Sequence, residues 1–194
     1  MPFQTPISIK DALDSIQRND YVLPAIQREF VWNPQQICRL FDSLMQGYPI
    51  GSFLFWRVEM ENCKEYTWYG FIRDYHQRNA RHCPVLDLPP KPIVAILDGQ
   101  QRLTALNIGL RGSHAEKEPR KWWNSPHAFP TKRLYLNLCG QAQDNEQRLR
   151  YDFRFLTPSR AESWKDDEHS WFHVADVLSF DSGKNVHKAV RAIG

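Results

Sequence analysis

Five consecutive residues concentrate polar chemistry in the middle of this chain. Asp98-Gly99-Gln100-Gln101-Arg102 lie between the apolar run Ile93 to Leu97 and a helical pattern marked by Leu103, Leu106 and Leu110. A strand that turns directly into a helix leaves free backbone N–H groups and partial positive charge at the carboxyl end of the strand, a place suited to phosphates. Gly99 lets a ligand approach the backbone, the amides of Gln100 and Gln101 can donate and accept, and Arg102 offers a planar fork for phosphate oxygens. Asp98 beside an anion makes sense where it holds Mg2+, a ribose hydroxyl or the arginine. The same residues also describe an ordinary junction: Asp98 as N-cap, Gln101 bonding back to the Asp98 N–H, and Gly99 in the turn.

Two further groups of residues have similar potential. Gln27-Arg28-Glu29 stands beside Phe30 and Trp32, just ahead of a helix. It reads either as a solvated turn anchored by its aromatics or as a second Gln-Arg pair converging on the first. Lys117, Arg120 and Lys121 adjoin Trp122-Trp123 in a stretch, 111 to 133, with six basic and two acidic residues. Basic side chains track phosphates and tryptophan stacks on exposed bases, so this segment is the candidate DNA contact; the alternative is a solvated loop whose tryptophans cover the core.

The elements that must position these residues follow from periodicity and punctuation. Ser8 to Arg18 reads as a helix through Ile9, Leu13 and Ile16. Asn33-Pro34 opens another, with Ile37, Leu40, Phe41 and Leu44 on its apolar face and Gly47 at its end. Tyr21 to Ile26 contains Pro24 and reads as an edge strand or a loop. Ser52 to Val58, Tyr66 to Phe71, Ile93 to Leu97, Arg133 to Leu138 and Tyr151 to Leu156 read as strands, and Val174 to Leu178 as a short helical turn. Arg73 to Lys91 and residues 113 to 130 read as loops. This order of elements predicts an α+β (mixed α/β) domain over 1–180. Residues 181–194 look like the start of a further helical region that continues beyond the chain.

Composition narrows the function only a little. The 194 residues carry a net charge of +3, too mild to argue nucleic-acid binding alone, and residues 1–97 balance ten basic with ten acidic side chains. The cysteines, Cys38, Cys63, Cys83 and Cys139, form no CxxC pair, and no zinc-ligand spacing recurs. No apolar run is long enough to cross a bilayer and the N-terminus lacks an apolar h-region, so a cytoplasmic protein with reduced thiols, and no membrane partner, is expected. The apolar strands and seven tryptophans suit a core or a homo-oligomer interface equally well. The chain has no GxxxxGK[ST] loop, so any nucleoside triphosphate chemistry uses another phosphate cradle.

Taken together, "LPAIQREFVWNPQQICRLFDSLMQGYPIGSFLFW" and, about forty residues on, "AILDGQQRLTAL" resemble the N-terminal domain of GmrSD-type restriction endonucleases. That family is similar in fold to the ParB N-terminal domain and to sulfiredoxin. The resemblance is strong from Ile7 to about Leu110 and looser to about residue 180. It implies a small mixed sheet flanked by helices, and an NTP site with Mg2+ built on the DGQQR segment. Asp98 and Arg102 would then be catalytic, and Gln27, Arg28, Gly51, Gly99, Gln100 and Gln101 would bind nucleotide with Arg102. It also implies a C-terminal HNH-type nuclease domain in the full-length protein, modified phage DNA as its target, and a role in anti-phage defence. No HNH motif is present in this chain, so nuclease activity is not carried over to it. A DNA-sensing module without catalysis, a direct ParB-like nuclease and a sulfiredoxin-like phosphotransferase are the competing expectations.

Overall fold

Local signals set the first elements. α1 (Ile9–Gln17) starts where the Ser8 hydroxyl accepts the Asp11 N–H, and it buries Ala12, Leu13 and Ile16. α2 (Pro34–Met45) carries a complete capping box: Asn33 accepts the Gln36 N–H and the Gln36 side chain accepts the Asn33 N–H. These and all later elements come from a computed structural model that describes residues 5–25, 29–89, 91–142 and 148–180. Gln27, Arg28 and residues 181–194 lie outside the described residues.

A mixed five-stranded sheet is the frame of the site. Between α1 and α2 lies β1 (Tyr21–Pro24), and β2 (Leu54–Val58) follows α2. Next come the short β3 (Trp68–Tyr69), β4 (Asp74–His76) and β5 (Val85–Leu86), then β6 (Ile93–Asp98). The sheet order is β2-β6-β1-β3-β5; β1 and β6 are parallel and the other pairs antiparallel. β1 is therefore central, contrary to the edge strand or loop that Pro24 suggests. The proline is tolerated because only Tyr21 and Val22 are in register with β6, while Pro24 ends the strand opposite Trp68.

From β6 the chain enters α3 (Gln100–Arg111), then β7 (Ser113–Ala115), which pairs in parallel with β4. The 73–91 and 113–130 segments thus contain short strands that sequence reading takes for loops. β8 (Arg133–Gln141), β9 (Tyr151–Leu156) and β10 (Trp171–His173) form an antiparallel sheet in the order β10-β8-β9, with α4 (Pro158–Ser163) between β9 and β10. The α+β class expected from the sequence is the class observed.

The main core lies where α1, α2 and α3 pack on these sheets; Leu13, Ile37, Ile96, Leu106, Ile108 and Leu134 are fully buried in it. α3 is buried nearly all round from Leu103 to Leu110, and its buried Asn107 side chain donates to the Ile72 carbonyl at 3.1 Å. A helix enclosed in this way holds its N-terminus in a fixed place. Among the described residues, no helix is long and apolar enough to cross a membrane.

Candidate functional site

The junction between β6 and α3 is built by one glycine and two side chains. Gly99, not Asp98, is the N-cap: it sits at φ +89°, and a Cβ there would overlap the Phe53 ring. A left-handed turn pressed against an aromatic ring admits only glycine. The expected capping box is absent. Asp98 is still strand, paired with Leu54 beside an irregularity in the β2–β6 register, and makes no cap hydrogen bond.

Gln101 reaches across to another segment. Its Oε1 accepts the Val31 N–H at 3.1 Å and its Nε2 donates to the Glu29 carbonyl at 2.7 Å. The side chain thereby satisfies one donor and one acceptor of the loop that follows Gln27-Arg28. Arg102 does the same for the loop after α2. Its guanidinium donates to the Ile50 carbonyl and, at 2.8 Å, to the Ser52 carbonyl, and it lies 4.7 Å from the centre of the Phe53 ring. Gly51 between them is at φ +86°, and a Cβ on it would displace the Arg102 Nη1. Asp98 is two-thirds exposed and meets Arg102 Nη2 at 3.4 Å.

The DGQQR segment therefore ties together the 29–31 loop, the 50–52 loop and its own helix N-terminus. Gln100 is buried beneath the junction, as is Thr104, whose hydroxyl belongs to the core. Of the five N–H groups of Arg102, three go to Ile50, Ser52 and Asp98, so its first duty is positional. Phe53 is the contributor that sequence reading misses. In "SFLFW" it looks like one more strand residue, and only the fold places its ring between Gly99 and Arg102.

The surroundings add charge and space. A cavity of about 200 Å³ next to the 29–31 loop is lined by Leu23, Pro24, Ala25, Glu29, Tyr69, His82 and Cys83. Glu29 pairs there with His82 at 2.8 Å and with Arg81 at 3.7 Å. A larger cavity, about 300 Å³, lies away from the junction between α2 and β9. Its polar groups are already engaged: Asp42 accepts the Arg150 and Tyr151 N–H groups and Asp152 accepts from Arg154, while burial pushes the Cys38 thiol up to about 12. Among the described residues that leaves no free nucleophile or base there, so the β6–α3 junction is the better candidate.

The expected Mg2+ ligand can be weighed on its donors. Among the described residues no group of three or more His, Cys, Asp or Glu side chains converges on one point. A cage made wholly by protein is thus not formed around Asp98. One exposed carboxylate beside a helix N-terminus does fit Mg2+ that arrives bound to a polyphosphate. The basic segment divides as well. Trp123 packs edge-on to Phe129 at 5.1 Å, whereas Trp122 is 87% exposed.

The model of the family described as "GmrSD restriction endonuclease, N-terminal domain" matches residues 9–191. The chain belongs to this family. It is also similar to an uncharacterised protein of Methanocaldococcus jannaschii, 36% identical over 123 residues, which are 62% of this chain and 20% of that protein. The chain thus spans about a fifth of the length of the relative it matches. For this GmrSD-type N-terminal domain, the DGQQR segment holds both neighbouring loops through side chains that the motif itself supplies.

Proposed function

We propose that the chain is the nucleotide-handling domain of a modification-dependent restriction system acting in anti-phage defence, binding a nucleoside triphosphate with Mg2+ and hydrolysing it. One observation carries the reading: the first turn of α3 and the 29–31 and 50–52 loops are tied into a single polar junction by Gln101 and Arg102. The N–H groups of Gln101 and Arg102 lie in the first turn of the helix, ahead of any intrahelical acceptor, so they would cradle phosphate oxygens. The positive charge of Arg102, held in place by two carbonyls, would face the charge that develops on the transferred phosphoryl group. Asp98 would take one position on the Mg2+ that the phosphates bring and orient the attacking water. Gln27 and Arg28 would close the cradle from the loop that Gln101 holds, and Gly51 would leave room for it. Catalysis of DNA cleavage would belong to a C-terminal nuclease domain.

Calorimetric titration of ATP, GTP, CTP and UTP, each with Mg2+, tests this on the wild-type chain beside Gln101→Ala and Arg102→Ala. The expected result is micromolar-range binding of at least one triphosphate, weakened roughly tenfold or more in each variant while the fold is retained, since each loses hydrogen bonds that order the cradle. No binding and no phosphate release with any of the four would overturn it.

A further inference from the structure

Residues 116–132 leave the body of the fold between β7 and β8 and return through a closed neck. His114 N–H donates to the Lys132 carbonyl at 2.9 Å and Lys132 N–H to the His114 carbonyl at 3.0 Å. Inside, Glu118 N–H bonds Ala128 O at 2.8 Å and Ser125 N–H bonds Trp122 O at 3.0 Å. Ala115, Ala128 and Phe129 make a small core of their own. Arg78 donates to the Trp123 carbonyl at 3.1 Å and lies 4.9 Å from the centre of the Phe129 ring. Lys121 spans the loop to the His127 carbonyl at 3.0 Å and pairs with Glu118.

A loop braced at this many points holds Trp122 almost wholly in solvent, while its neighbour Trp123 does the covering. An ordered backbone that displays an indole outward has a preformed flat apolar platform. Next to it Arg120 is exposed, at φ +63°, and takes part in no ion pair among the described residues. Residues 116–133 carry five basic and two acidic side chains. A partner must therefore offer both negative charge and a flat aromatic face. An acidic peptide would use the cations and leave the indole idle; an apolar groove would do the reverse. A nucleic-acid strand with unpaired bases uses both.

We propose that this loop is a DNA-binding element in which Trp122 stacks on an unpaired or extruded base while Arg120 contacts the adjoining phosphate. The choice of DNA over RNA rests on the restriction-system reading above; the stacking surface does not.

The test is fluorescence anisotropy with labelled 16-nucleotide strands at low salt and without nucleotide, so that its outcome is separate from that of the nucleotide titrations. Wild-type chain should bind a thymidine strand, and Trp122→Ala should weaken binding by about five- to a hundredfold, the value of one base–aromatic stack. Trp122→Phe should retain most of the affinity. On a strand of the same length with abasic sites, wild type and Trp122→Ala should bind equally. Arg120→Ala should lower the salt slope by about 0.7, the loss of one phosphate contact on a single strand. Because Trp122 covers nothing, both variants should melt like wild type. The proposal is overturned if Trp122→Ala binds the thymidine strand as wild type does, if wild type does not bind it, or if matched RNA is bound more tightly through the same tryptophan.

Discussion

At the scale of single residues, the candidate site separates charge from shape. Arg102 could act through its positive charge alone or through the planar fork that reaches two carbonyls while lying against Phe53. Lysine distinguishes the two. It keeps the charge but cannot bridge both Ile50 and Ser52 or present a flat face to the ring. We expect Arg102→Lys to lose nearly as much nucleotide affinity as Arg102→Ala, and to cost about 1–3 kcal/mol in chemical denaturation, because two loop carbonyls lose their donors. Wild-type affinity in the lysine variant would mean that charge alone is needed. Gly99 belongs to the same argument. Its side-chain-free, left-handed turn is what lets the Phe53 ring close over the junction, and this requirement is invisible in a sequence that reads Asp98 as the obvious cap.

At the scale of elements, the β4–β7 pair buries a histidine at some cost. His114 is 2% exposed, stacks on Tyr75 at 4.5 Å and lies 5.5 Å from Phe155; its Nε2 has no hydrogen-bond partner among the described residues. Burial, aided by nearby Lys132, pushes its pKa down from 6.5 to about 4. The unfolded chain therefore takes up this proton first. The stabilisation is complete above pH 6.5 and is lost as pH falls toward 4, at no more than about 1.4 kcal/mol per pH unit. Urea midpoints measured from pH 7 to 4.5 should fall more steeply for wild type than for His114→Leu, with the difference confined to that window. Parallel curves would show that the imidazole titrates normally. β4 and β7 have no sequence signature, since three-residue strands carry too little periodicity to register. Where a local signal is strong the elements are legible: Asn33-Pro34 announces α2, and alternation announces β9. The central place of β1 is hidden because Pro24 reads as an edge residue until its register is known, and register depends on partners far along the chain. The DGQQR segment stands out in the sequence as a concentration of polar chemistry, but the loops that Gln101 and Arg102 hold, about fifty to seventy positions earlier in the chain, do not.

At the scale of the whole molecule, binding and folding are linked, because a ligand that occupies only the folded state raises the melting temperature. At a hundred times its dissociation constant, a nucleotide stabilises the fold by about 2.7 kcal/mol, and in a chain of this size that is roughly a 5–10 °C rise. The junction between β6 and α3 joins segments from three parts of the chain, so the rise should appear in the global transition and not as a separate loop melting. Gln101→Ala isolates the contribution of one tether. If freeing the 29–31 loop raises the dissociation constant tenfold, the rise measured at the same nucleotide concentration should shrink by about 1.4 kcal/mol, or roughly 3–5 °C. Removing Mg2+ with a chelator should reduce the rise in wild type, and reduce it less in Asp98→Asn, whose share of the ion is already gone. A rise unaffected by both chelation and Gln101→Ala would place the nucleotide elsewhere. The cavity beside Glu29 and His82 would then be the next place to look, since it is lined by a different set of side chains.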